Sequence, residues 1–127
     1  SPTAGRSTVW NSSDANVGVT PDAGDALTSG SSNWYHLAFT FDSSTGTIKA
    51  YQNGSLVGET TDAAISTLTA NAVPFALGNA SWSKQSPDTN FAGRMHAVGM
   101  WDSTLSAADV TALYNEGNGG SYSDIWP

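Results

Sequence analysis

The chain has 127 residues, a net charge of −7 and no cysteine, with 39% apolar and 12% charged residues. That length suits one domain, which buries roughly two-thirds of its unfolded surface. The only cations, Arg6, Lys49, Lys84 and Arg94, form no basic run, which argues against nucleic acid and anionic lipid as partners, and the missing thiols rule out disulfides, zinc–thiolate sites and a cysteine nucleophile.

Ser, Thr, Asn and Gly are abundant, so the surface is wetted by hydroxyls and amides rather than ions, as in extracellular β-proteins and virion proteins. No run reaches the length of a membrane-spanning helix or a signal core. The opening Ser1-Pro2-Thr3 leads us to expect a processed product or a piece of a longer chain.

In chain order, "STVW" (7–10) and "NVGVT" (16–20) each suit a short strand, and residues 21–33 read as loop, punctuated by Pro21 and Gly24. In "WYHLAFTFD", Tyr35, Leu37, Phe39 and Phe41 fall on one face and Trp34, His36, Ala38 and Thr40 on the other, a period that only a strand satisfies. Residues 42–46 form a turn in which Gly46 is free to take positive φ. "TIKAYQ" (47–52) returns, with Ile48 and Ala50 opposite in facing to Lys49 and Tyr51. Asn53-Gly54 is a hairpin signal, since a type I′ turn needs positive φ at both central residues. "SLVGET" (55–60) is the third strand of an antiparallel meander.

Residues 61–72 suit a short helix or a crossing loop. Residues 73–81 read as a strand with Pro74 at its start or on an edge, and 82–90 as a polar loop carrying Trp82. "FAGRMHAVGMW" (91–101) reads as a long strand. Phe91, Gly93, Met95, Ala97, Gly99 and Trp101 share a face, and the small ones suit close packing against another sheet. The period then changes. "LSAADVTALYNEG" (105–117) is a helix, with Ser106 as N-cap, Asp109 completing a capping box, a Leu105–Val110 hydrophobic staple, and Gly117 as its stop.

That ordered set, from "WYHLAFTFDSSTGTIKAYQNGSLVGE" through "FALGNAS" to "FAGRMHAVGMWDSTLSAADVTALYNEG", resembles the second half of a laminin G-like jelly roll, of the concanavalin A-like lectin and glucanase superfamily. The resemblance covers about residues 33–117. It implies an all-β fold: a two-sheet antiparallel jelly-roll sandwich with one short C-terminal helix, occupying residues 1–127 as a single domain. The family's opening strands are missing or reduced to residues 1–32. A fragment, a shortened sandwich, or strands supplied by a neighbouring chain are the alternatives, since an unclosed jelly roll leaves an edge.

Glycoside hydrolysis requires two carboxyls flanking the scissile bond. The resemblance implies an E-x-D-x-E run for it. The only glutamates are Glu59 and Glu116, and neither has an acid two positions away, so the chain reads as no enzyme. A glycosidase would instead need Glu59 or Glu116 in a cleft with a second acid. His36 and His96 lack a nucleophile-elbow context and read as locally bonded residues, His36 on the outer face of its strand. Calcium is the metal that loop oxygens suit; the resemblance implies a rim site, with Asp88 and Asn90, or Asp22 and Asp25, as ligands. The competing reading makes these turn residues whose side chains bond their own backbone.

For sugar recognition the best cluster is Trp82 with Asn79, Asp88 and Asn90, an aromatic platform beside polar groups in a loop; alternatively Trp82 folds over a sheet edge. Trp10, Trp34 and Trp101 read as core, and Trp126 as a core cap or a partner contact. Three glycosylation sequons, at Asn11, Asn53 and Asn79, carry little weight in a chain so rich in Ser and Thr. The expected function is a non-catalytic carbohydrate-binding or adhesion module of a secreted, cell-surface or virion protein, with glycan or neighbouring subunits as partners. The alternative is a structural virion or filament module, such as a capsid decoration or tail fibre, acting through subunit contacts as a homo-oligomer or by strand exchange.

Overall fold

The computed structural model describes residues 7–10, 16–19, 27–28, 33–65, 91, 93–115 and 118. The chain divides into two compact units, Ser1–Leu68 with Trp101–Pro127, and Thr69–Met100.

The first unit holds a hairpin and a meander. Strands β1 (Ser7–Trp10) and β2 (Asn16–Val19) pair antiparallel, with Ser7 opposite Val19 and Trp10 opposite Asn16. Strands β3 (Leu37–Asp42), β4 (Thr47–Gln52) and β5 (Ser55–Thr61) form an antiparallel sheet in the order β3-β4-β5, and β2 runs close to β4 and β5. Both turns form as their residue types require. Gly46 sits at φ +68, and Asn53 and Gly54 at φ 50 and 78, so both central positions of the second hairpin are left-handed. Ala50 faces Gly58 while Tyr51 faces Leu56, so Val57 is a bulge residue. A single 3-10 turn, Ala63–Ile65, follows.

Strand β4 is covered on both faces. On one, Ile48 and Ala50 pack with Ile65, joined by Phe41 and Val57. On the other, Tyr51 packs with Leu105 and Val110, joined by Ala38, Trp101 and Leu113. This second cover is helix α1 (Ala107–Tyr114) and its approach. The helix starts as its sequence dictates. Ser106 and Asp109 form the reciprocal capping box, worth about 1 kcal/mol, and Leu105 and Val110 share one cluster, as a staple should. It stops earlier than expected: Asn115, at φ 44 and ψ 52, takes the left-handed cap, with its N–H donating to the Thr111 carbonyl. Asn tolerates that region because its short polar side chain bonds locally. Gly117 lies outside the described residues.

Three expectations are corrected. His36 does not sit on an outer face, because its side of the sheet is the one α1 covers, and its ring is partly buried against Tyr114. Trp34 is not core but 58% exposed, and on the opposite face Leu37 and Phe39 are 44% and 46% exposed. Leu37 pairs with Gln52 and Phe39 with Ala50, neighbours too small or polar to cover them, whereas Phe41 reaches the Ile48–Ile65 cluster. Third, residues 93–100 form no strand. Ala97 sits at φ 53, which interrupts the two-residue alternation, and Met95, Val98 and Met100 are exposed rather than packed. The expected strand at 73–81 lies outside the described residues, as do residues 66–72 of the expected crossing segment.

Candidate functional site

Along the Tyr51 face, period-two alternation brings Thr40 and Asp42 of β3, Thr47, Lys49 and Tyr51 of β4, and Glu59 of β5 to one side. The segment leading into α1 crosses above them. Thr104 Oγ1 donates to the Phe41 carbonyl at 2.7 Å, pinning that segment to β3. Between sheet and segment lies an open cleft of about 330 Å³, its far wall Thr104 to Ala107. Its volume is at the lower end of small-molecule sites, roughly 300–1,000 Å³.

The lining is dominated by hydroxyls. Thr47 Oγ1 lies 2.9 Å from Thr61 Oγ1, its cross-strand partner, and accepts from Thr45 Oγ1 at 2.8 Å. Two carboxylates are present and both are engaged. Asp42 Oδ1 accepts from the Ser44 hydroxyl at 2.6 Å and the Ser44 N–H at 2.8 Å; these bonds favour the ionised form and hold its pKa below the ordinary 3.8. Glu59 Oε2 lies 3.2 Å from Lys49 Nζ, across paired strand positions. Asp109, at the helix start, is likewise held below 3.8 by the Ser106 hydroxyl and N–H.

Thr40 and Tyr51 are 7% and 4% exposed and line this cleft, yet neither hydroxyl has a hydrogen-bond partner among the described residues. The sealed, unpartnered side-chain polar atoms among those residues are His36 Nδ1 and Trp101 Nε1; the Thr40 and Tyr51 hydroxyls are not among them. A second concavity, lined by Leu27, Leu37, Phe39 and Val57, has about 10 Å³, room for roughly one water.

The expected sugar cluster, Asn79, Trp82, Asp88 and Asn90, lies outside the described residues, as do the calcium candidates Asp22 and Asp25. No group of three or more His, Asp or Glu that could hold a metal occurs among the described residues, and no helix there is long and apolar enough to cross a membrane. Glu59 does line a cleft with a second acid, Asp42, the juxtaposition that a glycosidase reading requires; Glu116 is outside the described residues. Sequence reading missed the cleft. Strand alternation already placed Thr40, Lys49 and Tyr51 on one face of their strands, but nothing local said that the α1 approach would roof them.

No curated protein matches the chain significantly. Among solved structures, the crystal structure of residues 221–444 of an S-layer domain-containing protein from Clostridium thermocellum ATCC 27405 is similar, at 19% identity and a TM-score of 0.46 over 90% of this chain. The chain spans 64% of the length of that solved chain. The model of a laminin G domain class, described as the concanavalin A-like lectin/glucanases superfamily, matches residues 3–111, most of the chain and all of the meander, the cleft and the helix start. The chain belongs to the concanavalin A-like lectin/glucanase superfamily.

Proposed function

We propose that this protein is a non-catalytic carbohydrate-binding or adhesion module that works outside the cell, on a cell surface or on a virion, and that a second sheet closes its meander into a jelly roll. The observation that carries the reading is that a chain of the lectin and glucanase superfamily brings two carboxylates to one cleft and commits both to partners that suit acceptors. A glycosidase needs one carboxyl held protonated to donate to the leaving group. Asp42 is pushed the other way by Ser44, and Glu59 is tied to Lys49. What remains is a hydroxyl-rich concavity, chemistry that recognises sugars without cleaving them.

The test is a glycan array probed with and without calcium. Reproducible binding to a related set of glycans is expected, and blank arrays under both conditions would remove the reading. Release of reducing sugar from glucan substrates by the unaltered protein would overturn its non-catalytic part.

A second reading is favoured by the half-exposed Leu37 and Phe39 on β3, an edge strand of its sheet among the described residues. Exposed apolar edges invite pairing with another chain. On this reading the module makes subunit contacts in a virion or filament. Sedimentation equilibrium would show an oligomer that Phe39→Lys dissociates, and a monodisperse monomer at all concentrations would discard it.

A further inference from the structure

We infer that the cleft between the Tyr51 face of the sheet and the α1 approach is a binding site for a neutral saccharide of one or two rings, held by the Thr40 and Tyr51 hydroxyls and the Asp42 carboxylate. The inference rests on the carbohydrate-binding reading above and assigns it to Thr40, Tyr51 and Asp42 in place of the Asn79, Trp82, Asp88 and Asn90 cluster expected from the sequence.

Three observations carry it. Thr40 and Tyr51 are more than nine-tenths buried and line the cleft, and neither hydroxyl has a hydrogen-bond partner among the described residues. Hydroxyls that line a cleft without a protein partner bond whatever fills it, and a hydroxyl-bearing ligand replaces water there without loss of hydrogen bonds. The size follows from the volume, about 330 Å³, too small for a long oligosaccharide within its walls and ample for one or two rings. The charge follows from the lining: Asp42 and Glu59 outnumber Lys49, and Lys49 is already paired with Glu59. A sialylated or sulfated sugar would meet uncompensated carboxylate, whereas a neutral sugar offers hydroxyl donors to Asp42, which Ser44 keeps ionised. Carboxylate acceptors make the stronger, charge-assisted hydrogen bonds.

The experiment titrates the protein with methyl α-mannoside, N-acetylglucosamine, lactose, cellobiose and sialyllactose, followed by amide shifts in NMR. It compares the unaltered chain with Thr40→Val, Tyr51→Phe and Trp82→Ala. The first two substitutions delete one oxygen each and keep the shape. Removing unpaired hydroxyls leaves the thermal midpoint unchanged or raised, so lost binding in these variants is not lost folding. We expect at least one neutral sugar to shift amides at 40–51 and 104–107, and each hydroxyl deletion to weaken it about three- to tenfold. Sialyllactose should bind more weakly than lactose, and loss of neutral-sugar binding in Trp82→Ala but in neither hydroxyl deletion overturns the cleft assignment. Neutral-sugar binding that survives both hydroxyl deletions overturns the cleft assignment and leaves the lectin reading standing. No amide shift with any of the five sugars, together with a blank array, overturns both.

Discussion

The ring of Tyr114, the last residue of α1, lies 5.9 Å from the ring of His36 at a tilt of 40°. The contact belongs to a clasp between the helix end and the Asn53–Gly54 turn. Thr111 Oγ1 shares its proton between the Ala107 carbonyl at 2.9 Å and the Gly54 carbonyl at 3.2 Å. The Asn53 N–H donates to the His36 carbonyl at 2.8 Å, and the His36 N–H returns a bond to Asn53 Oδ1 at 3.0 Å. The turn therefore positions both the sheet and the helix that roofs it.

The first prediction concerns pH. Burial lowers the His36 pKa below its ordinary 6.5, and its Nδ1 has no acceptor to welcome a proton. The unfolded chain then binds a proton that the folded chain resists, so stability falls as pH drops below about 6.5 and levels off once the folded His36 also protonates. Asp42 and Asp109 act in a separate, lower window. Their pKa values are depressed below 3.8, so what they contribute is present above that value and lost as pH falls through their folded values. Urea denaturation from pH 7.5 to 5 should show a decline that His36→Phe abolishes.

Gly46 is irreplaceable by any residue with a Cβ. Its φ is +68, and an added Cβ would stand 1.9 Å from the Asp62 carbonyl oxygen, where the Asp62 N–H donates back to the Gly46 carbonyl at 3.0 Å. Gly46→Ala should cost roughly 2 kcal/mol or more in urea denaturation, combining the left-handed penalty with an overlap that backbone must absorb. Gly54→Ala should be milder, because its Cβ would meet the Tyr114 ring at 3.0 Å, a side chain that can shift.

The capping box is a coupled unit. Ser106 N–H and Oγ both donate to Asp109 Oδ2, at 2.8 and 2.7 Å, and the Asp109 N–H donates to Ser106 Oγ at 3.2 Å. Ser106→Ala should destabilise the chain by about 1 kcal/mol. Asp109→Ala should destabilise in the same direction, and the double variant should cost less than the sum of the two, measured by a double-mutant cycle in denaturant.

The Lys49–Glu59 pair should matter little for folding. Both side chains are more than a third exposed, and exposed pairs contribute about 0.2–1 kcal/mol. Lys49→Met should change the unfolding free energy by less than about 1 kcal/mol in urea denaturation, with salt reducing the difference further.

The features legible in the sequence are those fixed by neighbours a few residues apart. The Asn53-Gly54 turn needs only two residues that accept positive φ, the capping box only Ser106 and Asp109, and the strand faces only alternation. The turn, the capping box and the alternation of β3 and β4 form as read. The end of α1 falls short of the expected Gly117 because Asn115 also suits a left-handed cap, and local preference alone does not choose between them. The run at 93–100 alternates like a strand, but alternation is necessary for a strand and not sufficient, since a ladder partner must also be supplied.

The meander, its turns and the helix start follow from torsional and hydrogen-bonding preferences within a short span, and the scarcity of charge is composition alone. Which face of β3 is covered, and that a cleft exists, depend on long-range packing. Thr104 reaches Phe41 across 63 residues and Thr111 reaches Gly54 across 57, and contacts at such separation are set by how the apolar face of α1 finds Tyr51, a choice that no local pattern encodes.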